Sequence, residues 1–295
     1  MAESKEPSKR AFQFGLGLRE PHFWDGVVTP ISAVQSVDFW EILVENFIHH
    51  RGAKRDLLRT AGTLKPLAFH GVSLSIGSES ELRDDYLKLW CEWILDFQPT
   101  IVSDHLCFTA QGSHNSHDLL PLPYTHAVLQ RVAHRVCRLQ DLIGLPLTLE
   151  NPSSYLQFEN RDFSESQFLA ELCQRTGCQL LLDLNNVHVT CKNFGWSSQR
   201  YLADLPMNQV RQIHLAGHTV GPNFCYDTHD QDVSDDVWQL YRTVLPLLPN
   251  ATHILIERDE HIPPLSDLIG ELNLARTIAE DVFQDRAGDE IHGQL

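Results

Sequence analysis

The sequence predicts a single (β/α)8 TIM barrel, and three observations predict it. Eight short apolar runs recur along the chain, most of them followed by a stretch with helical periodicity, and this β-then-α succession makes a parallel sheet. The run that opens at Leu180 shows no apolar–polar alternation, as expected of a strand covered on both faces. The 295 residues, 42% of them hydrophobic, supply one core of the size such barrels commonly have.

Taken in order, residues 12–18 (FQFGLGL) read as the first strand, and 20–36 as a loop with at most a short helix. Residues 37–44 (VDFWEILV) are the second strand, ending at Glu45 and Asn46, and 54–63 a helical connection. A third strand opens at Pro66 and ends at His70. Residues 79–97 carry apolar side chains at helical spacing (Leu82, Tyr86, Leu89, Trp93, Phe97). Ile101 and Val102 form a fourth strand running into Asp104 and His105, and 109–118 an irregular polar loop. Residues 124–143 are an amphipathic helix stopped by Gly144. The fifth strand, 147–149, reaches Glu150 and Asn151, where Pro152 forbids simple continuation of the ladder. Residues 165–176 are helical. Residues 180–189 (LLLDLNNVHV) begin as a buried strand and turn polar at Asp183, Asn185, Asn186 and His188. The seventh strand, 210–215, bears His214, with His218, Asp227 and His229 beyond it. Ser234 caps a helix to residue 248, 253–256 is the eighth strand, ending at Glu257, and 265–283 a closing helix.

Residues 1 to about 11 are polar, without the apolar segment of a signal peptide, and read as a disordered tail before a barrel domain over 12–295. No apolar run approaches the ~20 residues of a membrane helix. A formal charge of −16 disfavours phosphate backbones and suits a soluble cytoplasmic protein, or one whose partner carries basic segments. Seven cysteines without a CxxC argue against both a disulfide framework and a thiolate zinc site.

In such barrels the active site lies at the C-terminal strand ends. His70, His105, Glu150, Asp183, Asn186, His214, Asp227, His229 and Glu257 all fall there or just after. Any one alone is more readily a satisfied hydrogen-bonding group than a ligand. Together, several carboxylates on one rim repel unless cations sit between them, and this coincidence across strands points to a metal site. Imidazole with carboxylate or amide oxygen, and no thiolate, fits iron, manganese or zinc. Nine candidates suffice for two or three ions, with Glu150, on the middle ligand-bearing strand, as the bridging carboxylate. His49, His50, His114, His117, His126 and His134 do not follow the strand-end rule; of these, His114 and His117 are candidate lid residues.

The strings FHGVSLSIGS, SDHLCF, DLLPLPYT, LTLENPSSY, LLDLNNVHV, QIHLAGH, DTHD and LIERDEHIPPL resemble the multinuclear non-heme iron-dependent oxidative enzymes, the family of the methanobactin and thiaglutamate biosynthesis oxidases. The resemblance runs from about Gly15 to Leu274, and that family's barrel is similar to endonuclease IV and xylose isomerase. It implies that His70 and His105 bind one metal shared with Glu150. Glu150, Asp183, His214 and Glu257 then bind a second, and Asn186, Asp227 and His229 a third, more weakly held ion. Asn186 stands where the endonuclease relatives carry histidine, and His188 where the family carries tyrosine. Asp104, Asn151, His188 and His218 are implied to orient ligands, with Glu150, Asp183 and His214 as the catalytic set. The implied cofactors are two or three iron ions, mixed valent, with O2 as co-substrate. The implied substrate is a cysteine of a ribosomally made precursor peptide, presented by a leader-binding partner. The implied products include an oxazolone–thioamide, a thiazole-like ring or excision of a carbon. A divalent-metal hydrolase or isomerase of the endonuclease IV and xylose isomerase type is the alternative, although the charge argues against a DNA substrate. A barrel kept as a binding or scaffold subunit is a third reading, disfavoured because all nine ligand positions are intact.

Overall fold

The computed structural model describes residues 11–292 apart from Ser113, so the expected tail falls outside the described residues but for Ala11. The elements run β1 (Gln13–Gly17), β2 (Phe39–Leu43), α1 (Ala53–Leu64), β3 (Leu67–Gly71), α2 (Asp84–Phe97), β4 (Ile101–His105), β5 (Phe108–Gln111), β6 (His114–Leu120), α3 (His126–Ile143), β7 (Thr148–Glu150), α4 (Glu165–Thr176), β8 (Gln179–Asp183), α5 (Leu184–Phe194), α6 (Ser198–Ala203), β9 (Val210–Leu215), β10 (Thr219–Val220), β11 (Cys225–Tyr226), α7 (Asp235–Val244), β12 (His253–Ile256) and α8 (Leu265–His292). Eight strands close a parallel barrel in the order β1, β12, β9, β8, β7, β4, β3, β2. The expected (β/α)8 TIM barrel is the fold.

Local chemistry sets the helix ends. Thr125 accepts from the Val128 N–H at the start of α3, and Gly144 ends it at φ 70°. Ser164 and Gln167 form a reciprocal capping box on α4.

Five segments differ from the sequence expectation. The run 180–189 is not one strand: β8 stops at Asp183, and Asn185, Asn186 and His188 lie in α5. The reason is a cap, because Asp183 Oδ1 accepts from the Asn186 N–H at 2.7 Å and turns the chain into a helix. The loop at 109–118 is an antiparallel hairpin of β5 and β6, and the segment with Asp227 carries a short ribbon of β10 and β11. Residues 20–36 form two 3-10 turns around one π turn. The helix expected from residue 79 starts at Asp84.

Two apolar layers build the core. The larger packs the outer barrel face against the helices, with Trp40, Phe69, Trp90, Trp93, Phe168 and Tyr241 fully buried. The smaller, Phe39, Ala68, Ile101 and Leu255, is a separate buried cluster. Residues two apart on a strand share a face, so the same strands carry Glu41, His70, Ser103, His105 and Glu257 directly above this cluster. Among the described residues no helix is long and apolar enough to cross a membrane.

Candidate metal centre

Strand register does most of the positioning. His105 on β4 is the lateral partner of Glu150 on β7, and Asp183 on β8 is the partner of His214 on β9. His70 lies one strand from His105, opposite Ser103. Leu255 pairs with His214, which sets Glu257 at the next inward position beyond β12. The segment after β11 folds back over the rim, with His229 in the left-handed region at φ 47°. His70, Glu150, Asp183, Asn186, His214, His229 and Glu257 are all at most 8% exposed, and His105 is at 7%.

The donor atoms gather into overlapping groups within 4.8 Å: His70, His105 and Glu150; Glu150, Asp183 and His214; Asp183, His229 and Glu257; and Glu41, His214 and Glu257. Glu150 belongs to two of them. Asp227 adjoins the third, its Oδ1 2.8 Å from His229 Nε2.

The first group tests whether a cation fits. Ser103 Oγ donates to the Phe69 carbonyl at 3.2 Å, so it accepts from His70 Nδ1, 2.8 Å away. His105 Nδ1 faces the Gly71 carbonyl at 3.2 Å, which can only accept. Both imidazoles therefore carry their proton on Nδ1 and a lone pair on Nε2. Burial holds His70 well below its ordinary pKa and His105 at about 4, so both rings are neutral. The two Nε2 atoms lie 3.2 and 3.3 Å from Glu150 Oε2, a buried oxygen with no hydrogen-bond donor. Three lone pairs face one another, an arrangement that costs free energy until a cation or proton enters. Asp183 Oδ2 and Asn186 Oδ1 are likewise buried without a donor. This donor set fits a metal.

The second half of the rim is charged differently. Burial would lower His214 and His229, but Glu41 and Glu257 hold the first, and Asp227 and Glu257 the second, well above the ordinary range. Burial would raise Glu257, and the same two imidazoles outweigh it and hold the carboxyl well below its usual value. Burial also raises Glu150 far above a normal carboxyl and Asp183 to about 7, with neighbouring acids adding to both. Without metal, protons do part of the work of neutralising these acids.

The other expected residues are placed as follows. Asn151 brackets Asp183, accepting from its N–H at 2.9 Å and donating to its carbonyl at 3.1 Å. Asp104 holds the backbone N–H of His105 at 2.7 Å and that of Leu74 at 3.0 Å, so it acts on the main chain and not on a ligand ring. Asn186 Nδ2 donates to Glu150 Oε1 at 3.2 Å and to the Asn151 carbonyl at 3.0 Å; His229 is grouped instead with Asp183 and Glu257. His218 Nδ1 meets Asn185 Oδ1 at 2.8 Å, and Asn185 Nδ2 donates to Asp227 Oδ1 at 2.7 Å. His188 stacks on His218 with 4.8 Å between ring centroids and belongs to none of the four groups.

Sequence reasoning passed over four participants. Glu41 accepts from Gln212 Nε2 at 2.5 Å and lies 3.2 Å from His214 Nε2, the geometry of a carboxylate fixing an imidazole. Its signal was present, a charged residue inside the apolar run FWEIL, 1% exposed. Arg19 reaches Asp259 Oδ1 at 2.5 Å and Glu257 Oε1 at 3.4 Å, with 7% exposure. Asn185 was read only as part of a polar strand end, and Tyr155, whose hydroxyl accepts from the Asp227 N–H at 2.7 Å, carries no sequence signal.

Residues 13–280 match the model of a family described as RiPP precursor modification enzyme MbnB/TglH/ChrH. A UPF0276 protein of Rhizorhabdus wittichii is 46% identical over 267 residues, covering 90% of this chain and 94% of its own. One of Caulobacter vibrioides is 45% identical over 263 residues, covering 89% and 92%. Endonuclease IV of Thermus thermophilus superposes with a TM-score of 0.55 at 15% identity, over 92% of this chain and 99% of that one. D-psicose 3-epimerase of Clostridium cellulolyticum does so with 0.53 at 10%, over 92% and 94%. At such identity these two speak for the fold alone, a xylose isomerase-like barrel. The family match spans nearly the whole barrel and the relatives share close to half its residues, so the chain belongs to the RiPP precursor modification enzymes of the MbnB/TglH/ChrH family.

Proposed function

We propose that this chain is an iron-dependent, O2-using oxidase that modifies cysteine residues of a ribosomally synthesised precursor peptide. The observation that carries the reading is Glu150, one buried carboxylate shared by the His70–His105 group and the Asp183–His214 group. A shared carboxylate is how neighbouring ions are held ~3.5–4 Å apart.

His70, His105, Glu150, Asp183, Asn186, His214, Asp227, His229 and Glu257 would hold two or three iron ions, mixed valent. Iron there supplies one-electron redox chemistry and open positions for a soft thiolate and for O2. The chain's own residues prepare this. Ser103 and the Gly71 carbonyl fix the tautomers of His70 and His105. Asn151 fixes the backbone of Asp183, and Glu41 orients His214. Arg19 lies against Glu257 and Asp259 and offsets their negative charge. The donor groups contain no cysteine among the described residues, which leaves the sulfur position to the substrate. Glu150, Asp183 and His214, which form one donor group, would be the catalytic set. A second protein presents the peptide's leader, and the acidic chain has no use for nucleic acid.

The test is anaerobic purification with metal analysis, then O2 uptake with the cysteine-bearing precursor encoded beside the gene, with and without its leader-binding partner. Two or more irons per chain are expected, together with O2 uptake that a Cys→Ser precursor abolishes. Zinc alone, with O2-independent hydrolysis or isomerisation, would overturn the reading.

A further inference from the structure

Beside the rim lies a pocket that the metal chemistry does not use. The segment between β7 and α4 forms both: Asn151 holds Asp183, Tyr155 touches the Asp227 backbone, and Ser154, Leu156 and Phe158 line the pocket. Leu122, Leu156, Phe158 and Trp196 make an apolar sleeve, and Glu165 and Tyr124 line the same space. Glu165 is 6% exposed. Its Oε1 and the hydroxyls of Tyr124 and Tyr201 are buried, and both hydroxyls stand against the carboxyl as donors, short of ideal geometry. All three interact electrostatically, so they are gathered in one place. The cation lining the pocket, Arg161, is exposed and donates to Gln157 Oε1 at 3.1 Å.

We propose that this pocket takes a lysine side chain of the peptide substrate, its methylenes along the sleeve and its ammonium at Glu165. An ammonium has three N–H donors and no acceptor, and Glu165 lines the pocket with its Oε1 short of a standard hydrogen bond. The bond to the carboxylate is charge-assisted, and Trp196 and Phe158 line the same space. An acidic side chain is repelled by Glu165, and an apolar one brings no charge to meet the carboxylate. Burial pushes Glu165 up to about 7, only partly offset by the two tyrosines, which is the behaviour of a carboxyl lacking its cation. The inference rests on the peptide-modifying reading for what presents the ammonium. It places a basic residue close in sequence to the modified cysteine.

The full chain as purified is titrated with n-pentylammonium, 1-pentanol and pentanoate, with binding read by ligand-observed NMR. Pentylammonium is expected to bind about tenfold more tightly than pentanol, with pentanoate silent. Glu165→Gln, of equal volume, is expected to lose that tenfold preference, and Trp196→Leu to weaken pentylammonium a few-fold. Attraction by the net charge elsewhere would survive Glu165→Gln. Equal binding of pentanol, or binding indifferent to Glu165→Gln, overturns the proposal, and the ligand comparison on the parent protein does so without any variant. The probe carries no thiol and the assay needs neither iron nor O2. A negative result therefore leaves cysteine oxidation standing. A cysteine-inert protein that still discriminates keeps the pocket and loses the oxidase reading.

Discussion

At the scale of single residues, the centre is governed by which nitrogen carries a proton. His70 and His105 have theirs held on the outer side by Ser103 and the Gly71 carbonyl, and His214 has Glu41 behind it. Glu41→Gln keeps the shape and removes the anion. Metal affinity is expected to fall ~10–100-fold, the usual effect of losing such a partner, in chelator competition. Metal-free stability should hold, because a buried carboxylate has been removed with it. Unchanged affinity would mean that Glu41 merely fills space. Glu165 supplies a separate test. Its carboxyl rises from the usual 4.5 to about 7 through burial, so the fold binds that proton more tightly than the unfolded chain does. Its contribution is complete below about 4.5 and is lost as pH climbs through about 7, a change of roughly 3 kcal/mol. Glu165→Gln cannot ionise. The metal-free variant should match the parent at pH 4.5 and exceed it by about 2–3 kcal/mol at pH 8 in urea unfolding. Equal stability at both pH values would refute this account of Glu165.

At the scale of elements, the positions that bring the candidate donors together were legible because strand ends are marked by a change from apolar to polar residues. The conformation beyond each strand end was less legible. In LLLDLNNVHV the polar residues looked like a continued strand, because a single N-cap hydrogen bond, Asp183 to Asn186, decides the switch to helix. The hairpin of β5 and β6 was missed because its register shifts between Phe108 and Ala110 and spoils any period-two pattern. Glu41 was passed over because it lies in the middle of β2, away from the strand ends where ligands were expected. The segment carrying Asp227 and His229 depends on a tight crossing: a Cβ at Gly217 would come within 2.3 Å of the Gln231 carbonyl oxygen and 2.4 Å of that of Asp232. Backbone yields poorly to such a clash, so Gly217→Ala should cost about 1–3 kcal/mol. It should also lower the metal count by the ion nearest His229 while leaving the His70–His105 group loaded. A variant with full metal content would show that this segment moves freely.

At the scale of the whole molecule, closing the barrel brings Glu41, Glu150, Asp183, Asp227 and Glu257 to one end of a single sheet. Such a concentration of buried acid opposes folding unless cations answer it. Anaerobic Fe(II) at a hundredfold its dissociation constant should add about 2.7 kcal/mol per site. Scanning calorimetry should then record a rise of at least about 5 °C, reversed by a chelator. A melting temperature indifferent to both would count against the centre. The fold itself was legible in the succession of elements, whereas the pairings across the rim, such as Asn185 with Asp227, exist only once distant strands meet.

Phe39, Ala68, Ile101 and Leu255 close the tube beneath these acids, so the barrel is a cup with one doorway. For the oxidase proposed above, O2, the cysteine thiol and the finished peptide would all pass through it, and a peptide lying across the opening would also be its cork. Turnover then proceeds in single file. A reaction product that lingers shuts out the next molecule completely, so added product should slow the enzyme in a way that excess substrate fully relieves.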